Sequence, residues 1–216
     1  MKLNDYFDKI YCINLDRRVD RWEECQKIFS KNNLEVERFS AIDGNETPYN
    51  LGYPYDNELA GAISHLNVVK KAKELCLKNV LILEDDVVFH NDLNTLFPEF
   101  IKQLPNNWEG FLFGGNHVGG RIHITPNISK VNRSYALHAY GLNEKSYDHI
   151  INYMGHKINR VIKEGKEVIK SSVAADFFMA DTHQVLNWYC FTPHLAWQKE
   201  DFSDIQKNNV NYDFLR

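Results

Sequence analysis

Three consecutive acids, Glu84, Asp85 and Asp86, follow directly on the apolar run Val80-Leu81-Ile82-Leu83. Such a run of strand-forming residues suits a strand buried on both faces, as in a parallel sheet. Carboxylates crowded at its end repel one another: two like charges ~4 Å apart at an effective dielectric of ~20 cost about 4 kcal/mol. A bound divalent cation removes that repulsion, and open α/β sheets take their ligands beyond the carboxyl ends of their strands. The tripeptide therefore reads as a metal site, with an ordinary solvated loop as the competing reading. Glu84 and Asp86 have carboxylate-x-carboxylate spacing, and residues two apart on an extended chain point the same way.

The elements that must position these acids follow from pattern. Lys9 to Leu15 predicts a first strand, Asp16 a cap, and Arg17 to Lys31 a helix with Val19, Trp22, Cys25 and Phe29 on one face. Leu34 to Ile42 alternates as a second strand and closes at Asp43-Gly44, and Asn45 to Asn57 reads as a loop. Glu58 to Leu77 is an amphipathic helix leading into the acidic strand. Beyond it the pattern predicts a helix over Asp92 to Leu104, where Pro98 is tolerable only near a first turn. It then predicts a strand over Trp108 to Phe113 ending at Gly114-Gly115, and a loop or hairpin over Asn116 to Asn132. A strand over Ser134 to Leu142 and helices over Glu144 to Met154, Lys157 to Lys163 and Asp176 to Gln184 come next. Leu186 to Thr192 reads as a last strand and Pro193 to Arg216 as a tail with little periodicity. Strands alternating with helices in this order argue an α/β fold with a mostly parallel sheet.

Composition narrows the function classes. The 216 residues carry a formal net charge of −4, so no global basic field recruits nucleic acid or anionic membrane. No apolar run approaches the ~20 residues of a spanning helix, and the first residues lack a signal-peptide core, which leads to the expectation of a cytoplasmic protein. Cys12, Cys25, Cys76 and Cys190 show no zinc-type pairing. Neither Gly-x-Gly-x-x-Gly nor Gly-x-x-x-x-Gly-Lys occurs, which removes the main support for dinucleotide and P-loop readings. Nothing in the chain speaks to oligomeric state.

An ordered set of short motifs remains. Ile13-Asn14-Leu15-Asp16-Arg17-Arg18-Val19-Asp20-Arg21-Trp22 comes first, then Ala41-Ile42-Asp43-Gly44, Gly61-Ala62-Ile63-Ser64-His65 and Leu83-Glu84-Asp85-Asp86. Leu137-His138-Ala139-Tyr140 and Phe202-Ser203-Asp204-Ile205 follow. Together they resemble glycosyltransferase family 25, which includes bacterial lipopolysaccharide-biosynthesis transferases and procollagen galactosyltransferases. The resemblance implies a single GT-A-type, Rossmann-like α/β domain over residues 1–216, with a nucleotide-binding half over about 1–115 and an acceptor-binding half over about 116–216. It further implies a UDP-sugar donor, a divalent metal (manganese or magnesium, as hard oxygen ligands also suggest), inverting hexosyl transfer and a glycan or a protein or peptide acceptor of hydroxylysine type.

Under that resemblance the residues take roles. Asn14 and Leu15 end the first strand at the ligand edge. Arg18 and Arg21 lie three apart near a helix N-terminus and suit a diphosphate, although ion pairs to Asp20 or Glu24 would explain them equally. Asp43 could accept from uracil or ribose, or simply form an Asp-Gly turn. Ser64 and His65 precede the acidic strand, where His65 could hold a phosphate, orient an acid or be structural. Asp86 is assigned as metal ligand and Glu84 as a ligand or ribose neighbour, with Asp85 able to serve for either. His138 is the expected third ligand and His194 the other candidate, since a neutral imidazole suits manganese. Asp176 is nominated as the base that takes the acceptor's proton, with Asp181 second and a helix N-cap as the alternative role. Gln198, Ser203 and Asp204 are expected over the donor or pinning the tail.

Two other functions fit parts of the pattern. An aspartyl-phosphate phosphatase also places acids after an apolar strand, but it needs an aspartate where this chain has Glu84. A carbohydrate-binding relative without turnover would keep the same motifs.

Overall fold

The computed structural model describes residues 1–169, 172–203 and 208–210. In chain order the elements are α1 (Leu3–Tyr6), β1 (Lys9–Asn14), α2 (Val19–Lys31), β2 (Glu37–Ser40), α3 (Tyr55–Glu74), β3 (Asn79–Glu84), β4 (Val87–Phe89) and α4 (Leu93–Ile101). There follow β5 (Gly110–Leu112), β6 (Arg121–His123), β7 (Ile128–Val131), β8 (Ala139–Asn143), α5 (Glu144–Glu164), α6 (Ala175–Thr182), β9 (Trp188–Phe191) and β10 (Ala196–Gln198). Two short strands, β11 (Asp201–Ser203) and β12 (Asn208–Val210), pair with each other.

An eight-stranded sheet runs in the order β2-β1-β3-β8-β5-β9-β7-β6. β2, β1 and β3 are mutually parallel, β9 is parallel to β5, and only β8 and β7 oppose the common direction. The mostly parallel α/β sheet expected from the order of elements is therefore present, flanked by helices on both faces.

The reason it is flanked on both faces is visible in β3. Val80 and Ile82 belong to one apolar cluster and Leu81 and Leu83 to another, and all four are fully buried. The first cluster is completed by α3, α5 and α6 through residues such as Leu66, Val69, Ile150, Met154 and Met179. The second is completed by α1, α2 and α4 through Leu3, Cys25, Phe29, Phe97 and Ile101. β1 divides in the same way, with Tyr11 and Ile13 on one side and Ile10 and Cys12 on the other.

Several boundaries differ from expectation. α2 starts at Val19 because the chain first turns through Asp16 and Arg17, closed by the Arg18 N–H on the Leu15 carbonyl, and Arg18 stands at the cap in place of Asp16. Pro98 lies inside α4, well past its first turn; burial of Leu93, Phe97, Phe100 and Ile101 offsets the missing backbone bond, whose loss costs about 3 kcal/mol. The two helices expected on either side of Gly155 are one helix, α5, because Ile150, Met154, Ile158 and Val161 keep one continuous buried stripe. Part of the supposed tail, β10, pairs antiparallel with β4.

Candidate functional site

The alternation that buries β3 also sorts its acids. Glu84 continues the side of Val80 and Ile82 and meets α3, where its Oε1 lies 3.2 Å from His65 Nε2. His65 Nδ1 is in turn 2.8 Å from the hydroxyl of the fully buried Tyr140. Asp85 turns to the other side and meets α2: Arg21 Nη1 donates to it at 2.8 Å and Asn14 Nδ2 at 2.7 Å. Asn14 is itself held by Arg38, which donates to its Oδ1 at 2.8 Å. Asp85 is thus bracketed by its own fold, and Arg21 and Asn14 form the bracket.

Asp86 is different. Gln198 Nε2 donates to Asp86 Oδ2 at 3.3 Å and reaches Glu84 Oε2 at 3.5 Å, so the two acids converge on one amide. Asp86 Oδ1 is buried and has no hydrogen-bond partner among the described residues. Burial, and then the negative Glu84 and Asp85, push the Asp86 carboxyl well above its usual range. Burial acts on Glu84 in the same sense, but the hydrogen bond and charge of His65 outweigh it and hold Glu84 below its usual range. Of the two, Glu84 is therefore the more readily ionised and Asp86 the more readily protonated.

Gln198 reaches the acids because β10 is clamped there. The Lys199 backbone N–H donates to Asp86 O at 2.8 Å and the Leu195 N–H to Phe113 O at 2.7 Å. A Cβ on Gly114 would sit 2.1 Å from the Ala196 carbonyl oxygen, so only glycine lets β10 come this close.

These groups line a cavity of about 410 Å³ at the carboxyl ends of β1 and β3, within the size range of small-molecule sites. Asn14, Leu15, Arg17, Arg21, Ala41, Ile42, Asp43 and Gly44 line it on the β1 and β2 side. Arg17 Nε donates to Asp43 at 2.6 Å, and Asp43 also accepts from the Asn45 N–H at 2.9 Å. Burial raises the Asp43 carboxyl, but those hydrogen bonds win and keep it below its usual range. Ser64 lines the cavity and joins α3 to the second strand's loop, accepting from the Ile42 N–H at 2.9 Å.

Asp176 lines the opposite side with Tyr135, Ala136, Leu137 and Phe177. Its Oδ2 accepts from the Ala136 N–H at 3.3 Å, and Ala136 adopts φ +69°, a left-handed conformation that an L-residue takes at a cost of about 1–2 kcal/mol. Burial raises the Asp176 carboxyl, and the negative Glu84 adds to the rise. Glu58, at the start of α3, accepts from Ser172 Oγ and the Val173 N–H, both at 2.9 Å, and so fixes the loop that leads into α6.

Of the residues expected at the site, the fold gathers Asn14, Leu15, Arg21, Asp43, Ser64, His65, Glu84, Asp85, Asp86, Asp176 and Gln198 around one cavity. It does not bring Arg18 there: that guanidinium pairs with Asp20 at 2.8 Å, and Arg17 occupies the place instead. Asp181 is outside the cavity lining, because the turn of α6 directs it to Arg133 at 3.1 Å and to the Tyr153 hydroxyl at 2.7 Å. His138 is fully buried as a strut, its Nε2–H donating to the Ala196 carbonyl at 3.0 Å, and burial lowers its pKa to about 4. His194 sits 3.0 Å from His117, between their Nε2 atoms, and is not among the residues that line the cavity. The Ser203 side chain and Asp204 lie outside the described residues. Sequence reasoning missed Arg17, Glu58, Tyr135 and Phe177; Arg17 stood inside a quoted motif and Phe177 directly after the nominated Asp176, whereas Glu58 and Tyr135 carried no local signal.

The metal can be tested against these groups. Among the described residues no cluster of three or more His, Cys, Asp or Glu is assembled to hold an ion. The carboxylates of Glu84 and Asp86, and the unpartnered Oδ1 of Asp86, nevertheless fit a hard cation that takes its other ligands from a diphosphate and water. No described helix is long and apolar enough to cross a membrane.

Comparison with known proteins follows the same lines. Residues 7–116 match the family described as "Glycosyltransferase family 25 (LPS biosynthesis protein)". A "Glycosyltransferase 25 family member" of Drosophila melanogaster is 35% identical over 100 residues, covering 38% of this chain and 16% of the relative. "Procollagen galactosyltransferase 2" of Mus musculus is 27% identical over 129 residues, covering 50% of this chain and 21% of the relative. The matched part is thus a fifth or less of the length of the first and about a fifth of the second. Among solved structures, galactosyltransferase LgtC in complex with donor and acceptor sugar analogs aligns at a TM-score of 0.45 and 11% identity, over 83% of this chain and 72% of that one.

Proposed function

The chain belongs to glycosyltransferase family 25, and from that premise we propose that it is an inverting hexosyltransferase that uses a UDP-sugar and a divalent cation. The acceptor is a glycan or, as the name of the procollagen relative suggests, a hydroxylysine-type side chain. The observation that carries this reading is the convergence of Glu84 and Asp86 on Gln198, with Asp86 Oδ1 buried and unpartnered, in a cavity that also holds Asp176.

The division of labour follows from the lining. Asp43, Arg17 and the backbone of Leu15 and Ile42 take the nucleoside side. Arg21 and Asn14 hold Asp85 rigidly, which fixes the turn that presents Asp86. Glu84 and Asp86 would hold manganese or magnesium, which when bound would neutralise charge developing on the departing diphosphate. Tyr140 and His65 orient Glu84 and keep it ionised. Asp176, with its raised affinity for a proton, accepts the proton of the attacking hydroxyl. That oxygen forms its bond to the anomeric carbon as the bond to the diphosphate oxygen breaks, the electron pair leaving with UDP on the opposite face. The whole chain acts as one transferase domain in this reading, with residues 1–115 on the donor side and 116–216 on the acceptor side.

A screen of UDP release over donor sugars and metals tests the proposal, followed by an acceptor screen. Turnover that needs manganese or magnesium and is lost in Asp86→Ala supports it. Absence of UDP-sugar turnover and of UDP binding by the folded protein refutes it.

A further inference from the structure

The acceptor side of the cavity contains an aromatic pair that the catalytic reading does not use. Tyr135 and Phe177 stack with centroids 4.6 Å apart and planes inclined by 23°, and both line the cavity. They are 42 positions apart in sequence and meet only because the loop before β8 faces the first turn of α6. Both are partly exposed.

The pair is braced from behind. Arg133 lies over the Tyr135 ring at 5.5 Å, and its Nε donates to the Tyr135 hydroxyl at 3.0 Å. Arg133 is fixed in turn by Asp181, which also accepts from Tyr153. Arg133 thus holds the Tyr135 ring by its hydroxyl, and Phe177, stacked on that held ring, lines the cavity. Asp176 lines the same cavity as Phe177, so a ligand resting on the ring shares that space with the carboxylate.

We propose that Phe177, backed by Tyr135, is the platform on which a pyranose ring of the acceptor rests, so that the acceptor is a glycoside and not a hydroxylysine side chain. The flat apolar C–H face of a pyranose matches an aromatic face, while its hydroxyls remain at the ring edge for a carboxylate. A sugar resting on Phe177 turns one hydroxyl toward Asp176. A flexible aliphatic amine has no face to match and gains little from a rigid stack. This inference rests on the transferase reading for its account of the acceptor, but the platform itself is measurable by binding alone.

The test uses the full chain with manganese and UDP present. Binding of methyl β-D-galactopyranoside, methyl β-D-glucopyranoside and a hydroxylysine-containing peptide is measured by saturation-transfer NMR and titration. Wild type is expected to take up at least one methyl glycoside, with the strongest transfer to ring C–H protons of one face. Phe177→Ala is expected to weaken that binding by at least ~10-fold, and Phe177→Tyr to retain it. Melting curves of each variant control for folding, and Tyr135→Ala, which removes the ring that backs Phe177, gives a second, smaller loss. Glycoside binding that is indifferent to Phe177→Ala, no glycoside binding at all, or binding of the peptide alone overturns the proposal. Glycoside capture without UDP-sugar turnover would instead refute the transferase reading and leave the platform standing.

Discussion

The Arg21–Asp85 pair gives the sharpest quantitative test of how the site is held. Their side chains are only 10% and 12% exposed and meet at 2.8 Å. At that distance and an effective dielectric of ~20, attraction amounts to about 6 kcal/mol before the loss of hydration on both sides is subtracted. Burial, and the negative Glu84, raise the Asp85 carboxyl despite Arg21 and Asn14. Removing Arg21 alone therefore leaves a buried acid beside two others with its main counter-charge gone. Arg21→Met is expected to lower unfolding free energy by about 3–5 kcal/mol, the usual loss when one partner of a buried pair is removed. Asp85→Asn keeps the acceptor for Asn14 and relieves crowding, so its loss is expected at about 1–3 kcal/mol. The double variant should be less destabilised than the sum of the two by ~2 kcal/mol or more. Urea unfolding followed by circular dichroism and tryptophan fluorescence at pH 7 supplies all three values. A loss under about 1 kcal/mol for Arg21→Met, or strict additivity in the double variant, would show that the pair does not hold the turn.

Other outcomes are expected from the same structure. Asp86→Ala should reduce metal-dependent UDP-sugar turnover by at least ~100-fold while leaving the melting temperature unchanged or higher, because a buried, crowded acid has been removed; full activity would remove the metal assignment. Gly114→Ala should destabilise the fold by about 1–3 kcal/mol and lower turnover, since the added methyl forces β10 and Gln198 away from the acids; wild-type stability in a melting experiment would contradict this. His183, buried against Trp188, has its pKa lowered to about 3 by burial. The unfolded chain binds this proton below about pH 6.5 and the folded one does not, so stability is lost as pH falls from about 6.5 toward 3, by up to ~1.4 kcal/mol per pH unit. His183→Asn should flatten the fall of urea-unfolding free energy between pH 6 and pH 4 by about one proton, and an unchanged slope would refute the assignment.

What could be read in advance depended on how local its cause was. The acidic strand was legible because one run of apolar residues, buried on both faces, leaves little choice of element or of position in the sheet. The convergence of Glu84 and Asp86 followed from side-chain period alone, and Gln198 was reachable through the terminal part of the chain's motifs. The placement of β8 antiparallel between β3 and β5 was not legible, because strand neighbours are chosen by tertiary packing. Arg17 replaced Arg18 at the cavity because the helix begins only at Val19, which leaves Arg18 at the cap and off the helical face it was expected to share with Arg21. Asp181 is engaged by Arg133 and Tyr153, and the Nε2 of His138 by the Ala196 carbonyl, partners that no spacing rule reveals. Tyr135 and Phe177 are ordinary aromatic residues until the fold sets them face to face.

The strict division of β3 between two apolar clusters constrains how this chain can vary. Swapping one aliphatic residue for another within Val80 to Leu83 disturbs packing on a single side. Adding or deleting one residue there inverts the sidedness of everything downstream, so that the acid now facing His65 would face Arg21 and the reverse. Substitutions in that segment should therefore be absorbed, whereas any change in its length should abolish folding and cation uptake together.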